Sequence, residues 1–154
     1  MNNLELKSIR QGLGLSVAEA CELPAVNVTK RSFQRWEAGD VSVPDDIDLL
    51  FFNMSSHYSL VLDKMIHDIE KATIYNLDDD TKPSRISPTL PFFHTFELFQ
   101  MATGCPHISY WRIYQSVISH LLLIGKITKL DDSAKIPENW GIWKWLKGAY
   151  EHNL

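Results

Sequence analysis

Residues 28–39, VTKRSFQRWEAG, leave this chain the least conformational choice. Thr29 is a good helix N-cap, because its hydroxyl can accept a hydrogen bond from a free backbone N–H of the first turn, and Gly39 can take the left-handed conformation that closes a helix. Val28 before the cap and Phe33 at the fourth helical position are spaced as a hydrophobic staple, which sets by packing how the chain enters the helix. Projected at about 100° per residue, Lys30, Arg31, Gln34 and Arg35 share an arc of about 140°, with Phe33 and Trp36 opposite. One face suits a core, the other something anionic and hydrogen-bonding. In the major groove of DNA, Arg or Lys can donate to guanine O6 and N7, and Gln can pair with adenine. A solvated polar face on an ordinary amphipathic helix would show the same pattern.

The residues before this helix decide between those readings. Leu6, Ile9, Leu13 and Leu15 punctuate LELKSIRQGLGLS with the spacing of a short helix closed by Gly12 and Gly14. Ser16 and Glu19 then form a capping box, S-x-x-E, opening a second helix whose Val17, Ala20 and Cys21 share a face. A helix, a short capped helix, a turn and a basic helix follow one another as in a helix-turn-helix unit.

Over residues 4 to 44 the chain resembles the DNA-binding domain of the phage-repressor family, the XRE-type, lambda-repressor-like helix-turn-helix. Arg10, the GLGLS run, Ala18 and Glu19, Val28 and Thr29, Ser32 and the ending Arg35-Trp36-Glu37-x-Gly39 all fall where that family's pattern places them. The resemblance implies that Lys30, Arg31 and Arg35 reach base edges with Gln34 beside them. It also implies that Ser16 and Val17 lie near phosphates and that Arg10 and Glu37 form a structural salt bridge joining the first helix to the recognition helix; Thr29 is counted with the DNA-binding residues. The turn ELPAVNV is longer than the family's glycine-centred one, and Val17 stands where a polar residue is usual, which removes a phosphate contact. The VPDDI that follows and the C-terminal tail are similar to small enterobacterial YdiL-type proteins and to regulators encoded beside anti-CRISPR genes.

The net charge of -4 opposes a DNA-binding reading, since such proteins usually carry a basic footprint. Residues 1–44 hold five cations (Lys7, Arg10, Lys30, Arg31, Arg35) and five acids (Glu5, Glu19, Glu22, Glu37, Asp40), so this part is neutral and its nonspecific DNA affinity should be weak. The acidity lies in residues 45–91, four cations against nine acids. The start MNNLELK lacks the basic and apolar blocks of a signal peptide and no stretch has the apolar length of a membrane span, so a cytoplasmic location is expected.

From Pro44 the sequence reads as a long connecting helix, with Asp45, Asp46 and Asp48 at the positive end of its dipole. Ile47, Phe51, Met54, Tyr58, Val61 and Met65 make a heptad seam that Asp68 interrupts. The seam is either a dimer contact or the inner face of a helix packed on its own chain. Residues 75–91, with an acidic run at 78–80 and three prolines, read as a linker between a region at 1–74 and a helical C-terminal core or dimerisation region at 92–154. In the latter, Trp111, Tyr114, Val117, Ile118, Leu121 and Leu122 form an apolar stripe, and a terminal helix carries three tryptophans.

Cys105, His107 and His120 have no partner at recognised zinc-ligand spacing, and phosphate-cradling glycine loops and a nucleophile elbow are both absent. No cofactor, metal, small-molecule ligand or enzymatic activity is implied. The expectation is an all-α, homodimeric, sequence-specific transcriptional regulator acting as a repressor on an inverted repeat of double-stranded DNA. Its rival is a helix-turn-helix fold used as a protein-interaction module.

Overall fold

Asn2, Ser16, Thr29 and Thr95 each place a side-chain oxygen over the free N–H groups that begin a helix. The computed structural model, described over residues 1–76 and 84–149, is mostly helical. The Asp78–Asp80 run, and with it part of the expected linker, lies outside the described residues. Two compact units, Met1–Ser59 and Leu60–Leu154, divide the chain at a point inside its longest helix, and the expected boundaries at 74 and 92 both fall within the second unit.

The first unit contains α1 (Asn3–Gly12), α2 (Val17–Glu22), α3 (Lys30–Ala38) and the start of α4 (Asp45–Ala72). Ser16 and Glu19 complete a reciprocal capping box on α2. Both α1 and α2 pack on α3. Phe33 is the hub of the core: its ring lies 5.6 Å from that of Trp36 and 5.9 Å from that of Phe51, with Leu6, Leu15, Ala20 and Ile47 also buried.

The second unit takes the rest of α4, an antiparallel ribbon of β1 (Ile74–Asn76) and β2 (Ser84–Ile86), and a parallel pair of β3 (Leu90–Pro91) and β4 (Leu130–Asp131). The helices α5 (Phe96–Thr103), α6 (Ile108–Leu123) and α7 (Gly141–Ala149) complete it. The polar tips of α6 satisfy carbonyls around β3: the Tyr114 hydroxyl donates to Pro91 O at 2.8 Å, and Trp111 Nε1 and Gln115 Nε2 donate to Phe93 O. Asp68, buried on α4, accepts from the backbone N–H of Ile142 at 3.1 Å and so meets the positive end of α7.

The fold is mainly helical, as expected, and its few short strands pair across separations that no local period records. The packing of α4 and α6 decides between the two readings of their apolar faces. Ile47, Phe51, Met54, Val61 and Met65 of the heptad seam are buried, as are Trp111, Tyr114, Val117, Ile118 and Leu121 of the α6 stripe. The chain itself covers both surfaces, so neither is free to face a second copy.

Candidate nucleic-acid interface

Local chemistry positions α3 at both ends. The Thr29 hydroxyl accepts from Ser32 N at 3.2 Å and lies 3.0 Å from the Ser32 hydroxyl. At the other end Gly39 takes φ +83°, and the Asn3 side-chain amide donates to Glu37 O at 3.3 Å. With Phe33 and Trp36 in the core, the opposite face is fixed in solvent: Lys30, Arg31, Gln34 and Arg35 are all exposed. None of the four makes an ion pair or a side-chain hydrogen bond within the described residues. Their donors are therefore available to an external acceptor.

An ion pair ties this face to α1. Arg10 Nε donates to Glu37 Oε1 at 2.6 Å and Nη2 to Oε2 at 3.2 Å, while Nη1 donates to Leu15 O at 2.6 Å. The two side chains are only 10% and 9% exposed, so water screens the pair little. A guanidinium fork spanning a carboxylate and the loop between α1 and α2 links α1, α2 and α3 through one side chain.

Ser16 is exposed at the start of α2, its oxygen accepting from Glu19 N at 3.1 Å while its own proton stays available. Beside it Val17 is half-buried. Cys21 is buried, and that burial raises its thiol pKa, which keeps it protonated and unreactive. Among the described residues no group of three or more His, Cys, Asp or Glu side chains is placed to hold a metal. The Cys105 sulfur lies 4.0 Å from the His107 carbonyl oxygen.

Two contributors escaped the sequence reading. Asn27, at the end of the α2–α3 turn, takes φ +40°, the left-handed region that Asn tolerates better than most residues; an Asn two residues before the cap Thr29 was the available signal. The Asn3 amide on Glu37 O had no signal, since it depends on where two distant helices meet.

A mainly helical protein that holds a short basic helix on a buried ion pair and leaves its donors in solvent is the class these features define. The chain belongs to the Aca2/YdiL-like family, whose model matches residues 1–127. It is similar to the Aca2 repressor of Pectobacterium phage ZF40, with 32% identity over 117 residues, 76% of this chain and 89% of that protein. No helix among the described residues is long and apolar enough to cross a membrane.

Proposed function

We propose that the protein is a sequence-specific DNA-binding transcriptional regulator, a homodimeric repressor that reads an inverted repeat with α3 in the major groove. The observation that carries this reading is the exposed, unengaged array of Lys30, Arg31, Gln34 and Arg35 on a helix whose other face is core. Arginine and lysine there would donate to guanine edges and Gln34 would pair with adenine. The hydroxyls of Ser16 and Thr29 would reach flanking phosphates. The repressing sign is supported by the name of the phage relative. Two copies are required because one short helix reads only a few base pairs, too few to select a site in a genome.

The test is binding of the full chain to DNA from just upstream of its own reading frame, followed by fluorescence anisotropy from low salt upward. Selective, salt-dependent binding to an inverted repeat is expected, its half-sites about 34 Å or a multiple of that apart. Equal affinity for a shuffled fragment would overturn the reading. The neutral charge of residues 1–44 favours the rival, a protein-docking use of the same face, and that outcome would support it.

A further inference from the structure

Within the second unit, the end of α5, the loop that precedes α7 and the first turn of α7 line a cavity of about 540 Å³. That loop and helix follow the stretch matched by the family model, which ends at residue 127. Their backbone is pinned from the core side. Ile136, Trp140, Ile142 and Leu146 are buried, Trp140 N donates to Pro137 O at 3.1 Å, and Ile142 N donates to Asp68 Oδ2 at 3.1 Å. Above these anchors Met101, Pro137 and Trp143 give the cavity apolar walls, and Met101 is 83% exposed, a large apolar side chain standing in water. Lys135 and Glu138 complete the lining, a cation and an anion three residues apart on one loop, both exposed. Neither makes an ion pair or a side-chain hydrogen bond within the described residues.

We propose that this cavity binds a free aromatic α-amino acid, with the ring between Met101 and Trp143, the carboxylate at Lys135 and the ammonium at Glu138. The volume falls within the roughly 300 to 1,000 Å³ of small-molecule sites, which pair mostly apolar walls with a few polar groups that fix orientation. The two charges choose the ligand class. A simple anion would leave Glu138 facing its own charge, and a simple cation would do the same to Lys135, whereas a zwitterion engages both. The walls choose the side chain: an indole offers a face for stacking, and a thioether makes a favourable contact with the edge of a ring. The inference does not depend on the DNA-binding reading. Because the lining comes from both α5 and α7, an occupant would hold the two helices together and slow the opening of α7.

The test is titration of the full, nitrogen-15-labelled chain with L-phenylalanine, followed on the tryptophan indole N–H resonances, that of Trp143 being assigned with Trp143→Phe. The Trp143 resonance should move and saturate with a Kd of about 0.1 to 1 mM, as the affinity per atom of small ligands sets. Phenethylamine lacks the carboxylate and 3-phenylpropanoate lacks the ammonium, so each should bind about two- to fivefold more weakly, the worth of one exposed ion pair. In Lys135→Gln, phenylalanine and phenethylamine should become equal; in Glu138→Gln, phenylalanine and 3-phenylpropanoate should. Met101→Glu, at an exposed position that leaves the core untouched, should weaken phenylalanine about tenfold or more. Phenylalanine at ten times its Kd should slow hydrogen exchange of the α7 amides about tenfold. A Trp143 resonance still unmoved at about 10 mM phenylalanine, or undiminished binding to Met101→Glu, overturns the proposal. So does 3-phenylpropanoate or phenethylamine binding the wild-type chain as tightly as phenylalanine, since either would remove the zwitterion.

Discussion

Replacing Glu37 with Ala would strand Arg10, and the structure sets the size of the effect. The substitution removes two charged hydrogen bonds, at 2.6 and 3.2 Å, and leaves the guanidinium with Leu15 O as its remaining partner in a site about one-tenth exposed. Breaking one side of a buried pair costs about 3 to 5 kcal/mol, because the remaining charge stays desolvated. A small domain loses about 4 to 8 °C of Tm per kcal/mol, so the first unit should melt at least ~12 °C lower. Replacing Arg10 with Met as well should recover part of that loss, since the methionine fills the space without a charge. Urea unfolding of the four chains of the cycle, with hydrogen exchange resolving amides of α1 and α3, measures the coupling. Strictly additive losses, or a loss below about 1 kcal/mol for Glu37→Ala, would refute the reasoning.

Arg35→Ala should weaken binding to the preferred DNA site by about 1 to 3 kcal/mol and relax selectivity at one base position; unchanged affinity and selectivity in a binding titration would remove α3 from the interface. Asp68→Ala leaves the Ile142 N–H without its acceptor and should cost about 1 to 3 kcal/mol, with Asp68→Asn recovering part, and equal melting temperatures for all three chains would dismiss the link between α4 and α7. Asn27→Gly relieves a positive φ and should stabilise by up to about 1 kcal/mol, so an unchanged or lower Tm would mean that the Asn side chain contributes more than its backbone costs. Burial pushes the Tyr110 hydroxyl up to about 12 and raises Tyr114 further. Because the folded values are raised, the contribution to stability is complete below the ordinary value of 10.0 and is lost as pH rises through about 12. Absorbance titration should show both tyrosines ionising late and together with unfolding, and ionisation of either in the folded protein near pH 10 would contradict their burial.

The parts of the fold that could be read from residue order are those whose causes are local. Ser16 with Glu19, and Thr29 with Gly39, state where α2 and α3 begin or end because a cap and the N–H it satisfies lie within one turn. The exposed face of α3 was equally open to inspection, since its four polar residues and two core aromatics obey one helical period. Leu90 gives no such signal: its partner is Leu130, and a two-residue parallel strand has no pattern apart from that partner. The Arg10 contact to Leu15 O was equally hidden, being made to backbone, which carries no residue identity.

The α4 seam shows why periodicity stops short of assembly. A repeat of seven identifies the face of a helix that must be buried, but an identical helix and the remainder of the same chain satisfy it equally well. Asp68 is the residue that separates the two cases. In a dimeric seam a buried carboxylate would face another carboxylate across a two-fold axis, an arrangement of like charges with no donor; here it meets the N–H of Ile142 at the start of α7. The break in the heptad pattern therefore marks the place where α4 receives a helix of its own chain.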